Sequence, residues 1–260
     1  MSENNIQSAK AGLVAGTIQT SSLIWLRVIN KYQYRYGYSI HKTISKLYKE
    51  GKMPRFIKGI IPATIDSSLC KMGDIFIYSY VKENFSDEST LSQSFLIGFF
   101  SSFHKFLLTP LDTISVNYHV YGDSAPKTLQ NEIKKNGILS LYNGGCSILG
   151  LSAISSTIWF SFFINYENYT KQYINERNKS FIDGINGAAA SVSSTLILNP
   201  IHALKTYRQT KHLSYVNSLR DMIDKTSIIN SLYRGMSSRL IIKSLQSSLF
   251  VVLWKKFESI

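Results

Sequence analysis

T-P-L-D-T-I-S-V-N at 109–117 and N-P-I-H-A-L-K-T-Y-R-Q at 199–209 decide how the rest of the chain is read. Each closes a long apolar run with a proline, sets a polar or charged group two residues later (Asp112, His202) and another three residues beyond that (Ser115, Lys205). Proline inside a helix removes a backbone hydrogen bond and kinks it, and groups three apart lie about one turn apart at the helix end. Working outward, G-L-V-A-G-T-I-Q-T-S-S-L-I-W-L-R-V-I-N (12–30) aligns without a gap to G-A-A-A-S-V-S-S-T-L-I-L-N-P-I-H-A-L-K (187–205). That register sets Trp25 opposite Pro200, with Pro110 as the middle counterpart, at intervals of 85 and 90 residues. A second landmark recurs with it: F-I-K-G at 56–59, L-Y-N-G at 141–144 and L-Y-R-G at 232–235, each before another apolar run.

Each unit therefore reads as a long helix, a polar segment, a turn ending in glycine and a second helix. Three units, 9–88, 89–178 and 179–258, give six helices at roughly 9–30, 61–82, 91–118, 146–169, 182–209 and 236–257. The expected fold is an all-α membrane protein of six transmembrane helices in three tandem pseudo-symmetric repeats, because helices satisfy their own backbone in lipid. Stretches 11–26, 89–103, 136–166 and 184–204 carry no Asp, Glu, Lys or Arg. The third of these, 31 residues long, suffices to cross a bilayer; the serine-rich others suit helices lining a polar interior. A buried helix of a large soluble domain is the alternative for any one segment.

The 260 residues carry a net charge of +13, which points to nucleic acid, an anionic membrane surface or an anionic substrate. Its distribution chooses among them. Segments inside the repeats carry +7 (30–58), +1 (119–143) and +4 (205–234), whereas the connections between repeats carry −2 (82–91) and +1 (170–183). Basic loops on one side of an even number of spans follow the positive-inside bias, and no nucleic-acid-binding motif is present. Y-Q-Y-R-Y-G-Y at 32–38 interleaves bases with rings, but beside a span it reads as interfacial tyrosine rather than a stacking platform. Cys70 and Cys146 show no metal-ligand spacing, the five histidines are scattered, and no hydrolase or phosphate-loop motif occurs. The chain is expected to be neither an enzyme nor a metal or cofactor protein. The polar start M-S-E-N-N-I-Q-S-A-K lacks the pattern of a signal or transit peptide.

This threefold repeat, with P-x-[DE]-x-x-[KR] closing the odd helices and an aromatic-basic-Gly landmark before the even ones, resembles the mitochondrial carrier family along residues 9–257. The resemblance implies a multi-pass monomer of the mitochondrial inner membrane. It implies transport of a small metabolite (a nucleotide, carboxylate, amino acid or cofactor) by alternating access, with cardiolipin as a lipid partner. A carrier-fold protein turned receptor, insertase or scaffold is the alternative.

The resemblance also assigns roles. A matrix gate falls on Arg27 and Asn30, Asp112 and Ser115, and His202 and Lys205, with Gln209 as a brace; Asp112 with Lys205 is its ordinary ion pair, Arg27 faces Ser115, and His202 faces Asn30. A cytoplasmic gate falls on Ser79 and Lys82, Glu167 and Thr170, and Lys255 and Glu258, where Glu167 pairs with Lys82 or Lys255. Counting two turns past the landmark glycines puts substrate contacts at Asp66, Leu151, Ser152, Ile242 and Lys243, with Lys105, His104, Lys71 and Asp74 also candidates for the cavity. Asp66 with Lys243 or Lys105 suits a solute bearing both an amine and an acid, or Asp66 and Lys71 neutralise each other. Gly59, Gly144 and Gly235 are the implied lipid-binding helix starts, aided by Lys58 and Arg234, or ordinary helix initiation with snorkelling bases.

Overall fold

A computed structural model of the chain describes residues 3–142, 145–173, 178–211, 213–224, 233 and 235–259. The fold is all-α: among the described residues there is no strand. The first apolar run forms α1 (Glu3–Ser22) and α2 (Ile24–Tyr36), bent 70° at Leu23. The second odd run divides into α5 (Thr90–Leu107) and α6 (Thr109–Tyr121) at Leu108, while the third stays one helix, α9 (Lys179–Lys211), with Pro200 inside it. The even runs are α4 (Ile60–Asn84), α8 (Gly145–Thr170) and α11 (Met236–Glu258). Short helices α3 (Ile40–Gly51), α7 (Ala125–Asn136) and α10 (Tyr215–Ile223) occupy the basic segments.

The expected link between proline and kink is only half right. Pro110 sits in the first turn of α6, where its missing N–H costs nothing. Pro200 is absorbed without a break. The sharp bend follows Thr20-Ser21-Ser22, with Trp25 just beyond it and 46% exposed. The first repeat thus bends without the proline of its counterparts, and Ser21 Oγ at the bend lies 3.5 Å from Thr64 Oγ1 of α4.

Capping explains where several elements start. Ser39, Ser89 and Ser214 accept from the backbone N–H groups of Lys42, Ser92 and Asn217 at the starts of α3, α5 and α10. Gly59 and Gly235 precede α4 and α11 in left-handed conformation, φ 81° and 68°. Gly59 has a second constraint, since a Cβ there would stand 2.7 Å from that of Tyr118. Gly144 and Arg234 lie outside the described residues.

α1 packs along α4, α5 along α8 and α9 along α11; contacts of α8 with α9, α1 with α11 and α4 with α5 close a ring. The ring is apolar outside and polar inside. Leu91, Phe95, Phe99, Phe103 and Leu107 recur every four residues along α5, and all are exposed. Ile61, Ile154, Phe181 and Ile241 are outward on other helices. Ser67, Ser101, Thr113, Asn186, Ser191 and Gln246 are buried. By length and hydropathy, residues Lys179–Arg208 qualify as a membrane span, and Asn5–Ser22 with Ile24–Tyr36 qualify if the bent pair is taken together.

Candidate functional site

A cavity of about 290 Å³ lies at the centre of the ring. α4 reaches it with Asp66, Ser67, Cys70, Lys71 and Asp74, α2 with Arg27, and α5 with Lys105. α8 supplies Ser155, Ser156 and Trp159, α9 Ser191, Ser194 and His202, and α11 Arg239, Lys243 and Gln246. The spacings of three and four on α4 and α11 keep these groups on one face of each helix.

Of the expected solute contacts, Asp66, Lys243 and Lys105 line this cavity. Leu151, Ser152 and Ile242 do not: α8 presents Ser155 and Ser156, one turn further on, and Ile242 is buried while its neighbour Lys243 faces in. The register itself holds, since Ser155, Ser156 and Trp159 stand as far beyond Gly144 as Cys70, Lys71 and Asp74 stand beyond Gly59; it is the turn of α8 matching Asp66 that does not line the cavity. Of the two lysines expected to act with Asp66 on a solute, Lys105 is already occupied. Lys105 Nζ pairs with Asp74 Oδ1 at 2.9 Å and donates to Ser156 Oγ at 2.8 Å. Lys71 is not hydrogen-bonded to Asp66, but stands over the rings of Phe250 (4.2 Å to the centroid) and Trp159 (5.9 Å). His104 leaves the cavity for the α4 backbone, its Nε2 2.8 Å from the Leu69 carbonyl.

Beyond one end of the cavity, the ends of α2, α6 and α9 meet. Lys205 Nζ donates to Asp112 Oδ2 at 2.8 Å, the ion pair expected from the sequence. The other expected contacts do not form. Arg27 Nη2 donates to Ser67 Oγ at 2.9 Å, within its own repeat, rather than facing Ser115. Ser115 Oγ instead lies 3.3 Å from Nε2 of buried His119. Asn30 Nδ2 is buried without a partner, and His202 looks into the cavity rather than toward it. The side chain of Gln209 lies outside the described residues.

Polar groups given no gate role from the sequence complete this end; among them Gln33 and Tyr34 of the 32–38 stretch, expected to be interfacial, are buried. Tyr34 Oη donates to Asn199 Oδ1 at 3.0 Å and accepts from Arg239 Nη1 at 2.5 Å, tying α2 to α9 and α11. Ser238 Oγ donates to Gln33 Oε1 at 2.6 Å, and Tyr121 Oη donates to the Thr210 carbonyl.

The opposite end is closed by rings and a charge cluster. Tyr78 stacks on Phe160 and meets Trp254 edge-on, both at 5.4 Å, while Phe250 and Phe163 flank Trp254. Above this layer, Ser79, Lys82, Glu167, Lys255 and Glu258 share a vestibule of about 330 Å³. Lys255 Nζ donates to Glu167 Oε1 at 2.6 Å and to Asp183 Oδ1 at 2.8 Å; Lys82 stands 4.0 Å from Glu167. Both of the alternatives for Glu167 are thus realised, with Lys255 the closer. Asp183, of which 2% is exposed, was not identified from the sequence; it lies on an odd helix, outside the pattern searched. Glu258 accepts from Ser8 Oγ at 2.5 Å, and Thr170, outside the vestibule, accepts from Asn186 Nδ2 at 2.8 Å. Among the described residues no group of three or more His, Cys, Asp or Glu is placed to hold a metal ion.

No protein-family model matches the chain. A mitochondrial carrier-like protein of Acanthamoeba polyphaga mimivirus is 22% identical over 212 residues, covering 81% of this chain and 78% of that protein. The chain is therefore distantly similar to a carrier-like protein over most of its length.

Proposed function

We propose that the chain is a carrier of three tandem repeats, 9–88, 89–178 and 179–258, whose six spans cross the mitochondrial inner membrane and move a small metabolite by alternating access. The observation that carries this reading is the inverted distribution of polarity: a stripe of exposed Leu and Phe on α5 and a central cavity rich in serine and charge. In water such a surface would be an association hazard; in lipid it is the matching face, and charged groups inside spans belong to water-filled paths. The distant carrier-like relative supports the same class. Asp112 with Lys205 closes the matrix side, and Lys255 with Glu167 and Asp183 closes the cytoplasmic side. Acidic phospholipid such as cardiolipin sits at the even-helix starts near Gly59 and Gly235. The protein acts as a monomer and not as an enzyme.

Purified protein in cardiolipin-containing liposomes is expected to counter-exchange at least one solute from a broad metabolite panel. A panel with no exchange and no ligand-induced thermal shift favours the second reading, a carrier-fold receptor, insertase or scaffold. That reading draws on the turning of Arg27 to Ser67, which leaves Asp112 with Lys205 as the expected gate contact that forms.

A further inference from the structure

One face of α11 presents hydrogen-bond donors whose acceptors are missing. Arg239, Lys243 and Gln246 follow one another at helical spacing, and all three line the central cavity. Arg239 is 5% exposed; its Nη1 is used by Tyr34, but its Nε has no partner. Gln246 is 3% exposed and its Nε2 is also unmatched. Lys243 Nζ makes no hydrogen bond or ion pair with any described residue, and the charges that act on it most strongly, Arg239, Arg27, Lys71 and Lys31, are all cations. Of the cavity's carboxylates, Asp74 holds Lys105, whereas Asp66 makes no ion pair with a described residue; Cys70 Sγ lies 3.9 Å from its Oδ1, and Arg27, Lys31 and Lys205 are the cations that act on it. Overall five Lys or Arg face two Asp across the lining; among its described residues the buried acceptors without a hydrogen bond are Gln19 Oε1 and Asp74 Oδ1, the latter held by the Lys105 ion pair.

We propose that this cavity takes a small solute bearing two or three negative charges, received by Arg239, Lys243 and Gln246 of α11 with Lys71 of α4. The proposal rests on the carrier reading for the purpose of the site, but its chemistry stands on the unmatched donors. Buried donors and uncompensated cations are costly to leave unmet, and an anionic ligand with several acceptor oxygens meets all of them together. Phosphate and carboxylate share that chemistry. A volume of about 290 Å³ is at the low end for ligand cavities and suits a compact solute. A zwitterion gripped by Asp66 and Lys105 loses its footing, because Lys105 is already paired with Asp74; one held between Asp66 and Lys243 is the competing ligand, represented in the test by L-arginine and L-glutamine.

The test measures thermal unfolding of the detergent-purified chain at fixed ionic strength with citrate, pyrophosphate, L-arginine or L-glutamine added. Citrate or pyrophosphate should raise Tm by roughly 4–8 °C at saturation, and whichever acts at lower concentration identifies the anion type. Lys243→Gln should abolish the shift while leaving the ligand-free Tm equal or higher, since it removes an uncompensated charge. Lys243→Arg should keep the shift, as should Lys256→Gln, a change at an exposed cation. Stabilisation by L-arginine or L-glutamine in place of the anions, no response to either anion, or an anion shift that survives Lys243→Gln each overturns the proposal. An anion shift lost in Lys243→Gln, without flux in liposomes, upholds the site and sinks the carrier reading instead.

Discussion

In the proposed carrier, Lys255 is the residue on which closure of the vestibule side turns. One ammonium is held by two carboxylates from different helices, Glu167 of α8 and Asp183 of α9, in a largely buried setting. Removing a buried partner leaves the other charges uncompensated, at about 3–5 kcal/mol. Lys255→Met is therefore expected to lower Tm strongly, and Asp183→Asn less, because Glu167 still holds the lysine. Cys70 lines the cavity and is one of two cysteines in the chain, so in a Cys146→Ala background its alkylation reports opening. Asp183→Asn should speed labelling of Cys70 by an impermeant thiol reagent added from the vestibule side; an unchanged rate would show that the contact does not hold that end shut. At the far end, Asp112→Lys should abolish counter-exchange, and adding Lys205→Asp should restore part of it. A double variant no better than the single one would remove the ion pair from the mechanism. The Asp112–Lys205 contact was legible in the sequence because both groups keep the repeat register. Asp183 was not, because its function depends on which neighbouring helix end it meets.

Among the helices, the closest approach is that of α5 to α8. A Cβ added at Gly98 would stand 2.1 Å from Thr157 Oγ1 and 2.5 Å from the Ala153 carbonyl oxygen, the second of which is backbone and cannot rotate away. Gly98→Val must therefore push the two helices apart; overpacking of this kind costs about 1–3 kcal/mol or more. Its Tm should fall well below that of Gly150→Val, where a Cβ would meet nothing within 4 Å. Equal thermal stability of the two variants would refute the tight α5–α8 seam. Element existence was readable from charge-free runs and landmark glycines, and Gly59 and Gly235 stand at helix starts as the repeat requires. The breaks were not readable. Proline marks where a helix can bend, yet the 70° bend arose after a serine pair and Pro200 was absorbed, since packing against α11 and α8 decides whether a weakened turn yields.

For the molecule as a whole, the deciding question is which solvent its surface meets. Leu91, Phe95, Phe99, Phe103 and Leu107 form one exposed line, 70%, 60%, 44%, 52% and 68% accessible, while segments 30–58 and 205–234 carry +7 and +4 of a net charge of +13. Burying such a stripe in hydrocarbon gains roughly 25 cal/mol per Å² of apolar surface, whereas an arginine at the centre of a span costs about 2.5–3.5 kcal/mol on insertion scales. The proposed membrane placement therefore predicts that the protein resists alkaline carbonate extraction and is released by detergent. Phe99→Arg with Phe103→Arg should reduce the inserted fraction sharply, because both charges would face lipid with no cavity to reach. Lys243→Ala should leave insertion intact, since that side chain already looks inward. Release of the native chain by carbonate, or full insertion of the double arginine variant, would mean that the α5 stripe is covered by protein rather than lipid. The inward charges would then line a ligand pocket of a soluble assembly, and the anion site on α11 would outlast the carrier reading.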